Sequence, residues 1–101
     1  MQTPEQKVQN TIEANLKKFQ KRGEPLFFEK RQAGGWNYKK GMPDLYVVYK
    51  GIHYEFEIKK PGGKASNLQL AWQKKFRERY QIEDYIICSW EEIKEILKLP
   101  E

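Results

Sequence analysis

Cysteine and histidine are almost missing: the chain has one of each in 101 residues. A single cysteine makes no internal disulfide, and without a Cys/His cluster there is no donor set for a zinc site. Cys88 falls in the apolar run Tyr85-Ile-Ile-Cys88 and reads as a small core residue. His53 lies beside a turn and reads as a surface residue rather than a general base. Long apolar runs are missing too. No stretch is apolar enough to span a membrane, and the first residues show no signal-peptide core, so the expected compartment is the cytoplasm. There are no repeats and no low-complexity linker.

What is present is a modest core and an excess of positive charge. Hydrophobic residues make up 39% and aromatics 14%, which excludes general disorder. The length suits one domain, taken as residues 1–101. Nineteen Lys and Arg against fourteen Asp and Glu give a net charge of +5. An excess of that size suits a polyanionic partner, because Lys and Arg contacts to phosphates supply most non-specific nucleic-acid affinity.

The helix signals are clear. Thr3-Pro4-Glu5-Gln6 offers an N-cap, a proline at the first helical position and a capping box. Val8, Ile12, Leu16 and Phe19 then form an apolar stripe, and Gly23 provides the stop. Residues 25–32 read as a strand and residues 33–42 as a loop. Lys60 to Lys64 form a second loop. Ser66 with Gln69 makes another capping box, opening a helix with Leu68, Trp72 and Phe76 on one side. Asp84 to Ser89 reads as a strand. Ser89 to Glu92 caps a last helix with Ile93, Ile96 and Leu97 inward, stopped before Pro100. A helix between the last two strands permits parallel pairing. The expected fold is α/β, with order αβββαβα and a mixed central sheet flanked by helices.

The most informative segment is the hairpin between the first loop and the second. Residues 44–49 and 52–59 are strand-like runs joined only by Lys50-Gly51. A two-residue loop makes Tyr49 face Ile52, Val47 face Tyr54 and Leu45 face Phe56, which gives one apolar face. The other face sets Asp44 opposite Glu57, with Lys59 on the same side because side chains alternate along a strand. Opposed carboxylates repel. A bound divalent cation removes that penalty, and one or two carboxylates are the usual protein share of an Mg²⁺ shell. Lys59 is then placed to orient an attacking water or to stabilise charge on a phosphate. The competing reading is a solvated strand face with a Glu57–Lys59 pair, and a one-residue bulge would break the geometry.

The motifs Gly41-x-Pro-Asp44, Glu57-Ile-Lys59 and Pro61-Gly-Gly-Lys64-x-Ser66-x-x-Gln69, preceded by Glu5-x-x-x-Gln9 and followed by a strand-Ser-helix segment at 86–97, give the chain a resemblance. It resembles the VRR-NUC (virus-type replication-repair nuclease) family, a branch of the PD-(D/E)xK, restriction-endonuclease-like superfamily. The resemblance spans nearly the whole chain. It implies a Mg²⁺- or Mn²⁺-dependent endonuclease that hydrolyses DNA phosphodiesters, often at flaps or four-way junctions in replication, repair and recombination. Members this short are typical of phages and bacteria, which implies the host cytoplasm, and some resemble homodimers acting on four-way junctions. A homodimer is also expected because a small domain with one basic face grips little DNA alone. Asp44 and Glu57 would hold metal, helped by the carbonyl of Ile58. Lys59 would be the catalytic lysine, Gln69 the helix glutamine beside the site, and Glu5 a further acid for the metal shell.

Several residues carry two readings. Gln69 serves either the site or only its capping box. Glu5 either joins the metal shell or simply favours a helix N-terminus. Glu13 is the alternative acid on that helix, otherwise a solvated residue. Glu55 is a peripheral ligand or an exposed side chain. Trp36, Tyr38, Lys39 and Lys40 alternate aromatic and basic in a glycine-flanked loop, a pattern that stacks on bases and meets phosphates; the alternative is a loop whose Trp packs on the domain. Lys60 and Lys64 flank the site and are assigned to DNA backbone. Lys74, Lys75, Arg77 and Arg79 either extend that track or form a solvated face. The alternative function is a non-catalytic module that binds branched DNA.

Overall fold

The computed structural model describes residues 2–31 and 39–101. Helix α1 (Pro4–Lys21) leads into strand β1 (Leu26–Lys30), and β2 (Leu45–Tyr49) and β3 (Ile52–Ile58) follow as a hairpin. Helix α2 (Asn67–Lys74) runs on into a π-helical turn, Lys75–Arg79. Strand β4 (Glu83–Ile87) and helix α3 (Trp90–Leu97) complete the order. This is the αβββαβα sequence of elements expected from the motifs.

The capping chemistry explains the helix starts. In α1 the Thr3 hydroxyl accepts from the Gln6 N–H, and the Gln6 side chain accepts from the Thr3 N–H. Ser66 and Gln69 make the same reciprocal pair at α2. At α3, Ser89 accepts from the Glu92 N–H, but the Glu92 carboxylate reaches back to the Cys88 N–H instead of closing a box. That bond withdraws Cys88 from the sheet, and β4 ends at Ile87, two residues before the expected Ser89. Cys88 is half-buried rather than a core residue, and its thiol donates to Glu92.

The sheet has the order β1-β2-β3-β4. The β2–β3 register is Leu45↔Phe56, Val47↔Tyr54 and Tyr49↔Ile52, as the two-residue loop requires. Lys50 and Gly51 both take positive φ, 52° and 80°. That is the primed turn matching the right-handed twist of a hairpin, and Lys50 adopts it despite lacking glycine's freedom. The β1–β2 pairing is antiparallel and β3–β4 is parallel, so the sheet is mixed.

Alternation sorts the side chains of β2 and β3. Leu45, Val47, Tyr54, Phe56 and Ile58 are buried and join Ile12 and Leu16 of α1 and Ile93 and Leu97 of α3 in one core cluster. The opposite face of β3 carries Glu55 and Glu57, and both are also buried. Residue for residue, strand β1 is shorter than the expected 25–32. Pro25 stands outside it, and Gln32 lies outside the described residues. Helix α2 is less buried than its sequence suggests: Leu68 is exposed, Trp72 half-buried, and only Phe76 enters the interior.

Candidate metal site and its surroundings

Strand β2 begins at Leu45, one residue after Asp44 and two after Pro43. A proline has no N–H to donate to a ladder. The register, extended by two pairs, sets Asp44 opposite Glu57 and Pro43 opposite Ile58. The Ile58 N–H is taken instead by the Asp44 carboxylate, Oδ2 accepting at 2.9 Å. Asp44 is therefore fixed at the end of the hairpin by its own side chain. Its backbone carbonyl accepts from the Arg31 N–H at 2.7 Å, continuing the β1–β2 pairing.

Glu57 comes from β3 and is 3% exposed. Glu5 comes from the first turn of α1, which starts beside the end of the hairpin. One carboxylate oxygen each from Glu5, Asp44 and Glu57 lies within 4.8 Å of the others. Burial pushes the Glu57 carboxyl well above the ordinary carboxylate range; a hydrogen bond and the charge of Asp44 add to this, and Lys59 opposes it. Glu57 Oε1 is buried without a hydrogen-bond partner among the described residues. Three convergent carboxylates, one of them buried with an orphaned oxygen, form an all-oxygen donor set. That set suits a hard divalent cation such as Mg²⁺ or Mn²⁺.

The other sequence candidates separate into those near this cluster and those committed elsewhere. Lys59 is half-buried, and its charge acts on Glu57. Lys60 lines an open cleft of about 470 Å³ with Thr3, Pro4, Glu5, Gln6 and Gln9. Lys39, Lys40 and Lys64 are exposed. Trp36 and Tyr38 lie outside the described residues. Gln69 forms its cap: the side-chain oxygen accepts from the Ser66 N–H at 2.8 Å. Ile58 is buried at the end of β3. Glu13 is half-buried in α1, outside the acidic cluster.

Two expectations are corrected. Glu55 is neither exposed nor free for a peripheral ligand role. It is fully buried, gripped by both guanidinium Nη atoms of Arg31, and contacted by His53 Nε2. A buried carboxylate needs such compensation, and the strand parity that put Glu55 beside Glu57 was the signal for it. Arg77 is not simply part of a solvated face, since its Nε donates to the Asp84 backbone carbonyl at 2.7 Å and its guanidinium stacks on Tyr85. Sequence reasoning also missed Asp84 as a buried acid. It faces Glu55 across the parallel pair, is 1% exposed, and has no partner for either side-chain oxygen among the described residues. An apolar strand was read there, and nothing in the run Asp84 to Ile87 marks the first residue as inward.

No family model matches the sequence, and no curated protein matches it. A solved structure described as a VRR_NUC domain superimposes with a TM-score of 0.72 at 20% sequence identity, covering 99% of this chain and 100% of that one. The chain thus shares the fold of that domain, a four-stranded mixed sheet flanked by helices. At this identity the likeness speaks for the fold.

Proposed function

We propose that the chain is a divalent-metal-dependent endodeoxyribonuclease, built as one domain over residues 1–101, that cuts branched DNA. The observation that carries this reading is the convergence of Glu5, Asp44 and Glu57 within 4.8 Å, beside Lys59, on a fold shared with a VRR_NUC domain. A non-catalytic DNA-binding domain has no reason to keep three converging carboxylates, one of them buried.

Asp44, Glu57 and Glu5 would hold Mg²⁺ or Mn²⁺, with the Ile58 carbonyl as a further ligand. A bound cation would supply charge neutralisation at the phosphate and a lowered pKa for its water. Asp44 Oδ2 accepts from the Ile58 N–H, which keeps the carboxylate oriented. Lys59 sits next to Glu57, so its ammonium can orient the attacking water or stabilise charge developing on the phosphate oxygens. Lys60 and Lys64, together with Lys39 and Lys40, present exposed positive charge for the DNA backbone on either side of the site. Trp36 and Tyr38 are proposed to stack on unpaired bases near a junction. Gln69 is proposed as the cap residue of α2 that stands close to the site, its oxygen held by Ser66.

A small basic domain has little surface with which to grip DNA, so we propose a homodimer that offers two sites to two strands. Sedimentation at micromolar concentration should then give twice the 12.1 kDa chain mass. The functional test is incubation of pure protein with labelled duplex, flap and four-way junction DNA in Mg²⁺. Cleavage of a branched substrate that EDTA abolishes supports the reading. DNA binding that survives EDTA, with no cut in Mg²⁺ or Mn²⁺, would replace it with the branched-DNA-binding module.

A further inference from the structure

Arg31, the first residue past β1, joins the two segments that carry Asp44 and Glu57. Its backbone N–H donates to the Asp44 carbonyl at 2.7 Å. Its Nη1 donates to the Pro43 carbonyl at 3.1 Å. Nη1 and Nη2 also donate to the two oxygens of Glu55, the Nη2 bond measuring 2.9 Å. Glu55 is fully buried and stands on β3 two residues before Glu57. The guanidinium also lies over the Tyr46 ring, 5.4 Å from its centroid, which restrains its plane. One side chain therefore ties the carbonyl just before Asp44 to the strand that bears Glu57.

This segment needs such a tie. Asp44 lies outside β2, and Pro43 cannot donate to β3. A guanidinium fork can meet a carboxylate with two parallel bonds and still reach a third acceptor, which a lysine ammonium on a flexible stem cannot reproduce.

We propose that Arg31 is a positioning residue for the acidic site, setting the separation of Asp44 and Glu57 and so the affinity of the site for a divalent cation. This inference rests on the metal-site reading above. The competing role for Arg31 is neutralisation of Glu55 alone. The two differ in what they touch: neutralisation acts on stability, positioning on metal affinity in a protein that is still folded.

The test is Mn²⁺ titration calorimetry on the wild type, on Arg31→Lys, and on the double variant Arg31→Met with Glu55→Gln. The double variant removes both members of the buried pair, so no unpaired Glu55 charge drives unfolding. Circular dichroism and cooperative unfolding establish that each variant is folded, and Arg31→Lys, which keeps the charge, carries the comparison if the double variant is not. The expected result is a loss of Mn²⁺ affinity of about ten- to a hundredfold, the size typical of changes behind a metal ligand. DNA affinity in EDTA stays at the wild-type level. Any cleavage defect of Arg31→Lys is recovered at saturating Mn²⁺. Folded variants that bind Mn²⁺ as tightly as the wild type would overturn the positioning role and leave the metal site standing. A wild type that binds no Mn²⁺ would overturn both.

Discussion

At the scale of single residues, the buried acids govern how the protein responds to pH. Asp84 has its carboxyl pushed up to about 7, first by burial and then by the nearby charge of Glu55, with Arg77 and Arg31 opposing. The ordinary value is 3.8, so the folded state holds this proton more tightly than the unfolded chain. Its contribution to stability is fully present below the unfolded value and is lost as pH rises through about 7. Asp84→Asn keeps the shape without the charge. Thermal unfolding between pH 4 and pH 8 should therefore show a flatter decline for Asp84→Asn than for the wild type. Parallel curves would contradict this. Glu57 is raised in the same direction, by burial and by Asp44. A cation must displace its proton, so Mn²⁺ affinity should climb with pH and binding should release protons. Calorimetry in buffers of different ionisation enthalpy reads that release directly, and a binding enthalpy that does not vary with the buffer would count against it.

At the scale of elements, the ends of strands and helices place the chemistry. Gly41 has φ +86°, and a Cβ there would meet Leu68 Cγ at 2.5 Å. This glycine is the point where the segment leading to Asp44 touches the first turn of α2. Gly41→Ala combines a strained backbone with that clash, so it should destabilise by about 1–3 kcal/mol in urea unfolding; an unchanged midpoint would show that the two segments part easily. Ser66→Ala removes one half of the α2 capping box and should cost about 0.5–2 kcal/mol. Gln69→Glu preserves the box, because glutamate serves at that position as well as glutamine. If Gln69 acts only as a cap, Gln69→Glu should leave both stability and cleavage near wild type. The elements themselves were legible because they rest on local rules. The capping boxes at Thr3 and Ser66, the stripe from Val8 to Phe19, and the Lys50-Gly51 turn all act within a few residues. The turn in particular gave the register, and the register gave Asp44 beside Glu57. What was not legible depends on contacts distant in sequence. Arg31 reaches Glu55 across 24 positions. Asp84 is buried by the pairing of β4 with β3. The π-helical turn after Lys74 and the early end of β4 arise where local helix and strand preference yields to packing and to the Glu92 bond.

At the scale of the whole molecule, the positive balance and the acidic site have opposite electrostatic tasks. The net charge of +5 suits a polyanionic partner such as the proposed DNA, while three carboxylates meet at one point. A cation at that point relieves the repulsion in the folded state and has no comparable site in the unfolded chain. Added Mn²⁺ should thus raise the unfolding temperature in a concentration-dependent manner, with a smaller rise for Asp44→Asn. Cleavage is proposed to be performed by the Glu5, Asp44, Glu57 and Lys59 cluster. That role is tested most directly by the cleavage rate of a labelled four-way junction in Mg²⁺, measured side by side for the wild type and Lys59→Ala. Lys59 is half-buried rather than part of the core, so the variant should fold normally. The account predicts that the wild type cuts and that folded Lys59→Ala cuts at least about a hundredfold more slowly, the loss expected when a charge-stabilising group is removed from such a site. Equal rates for the two proteins would contradict it.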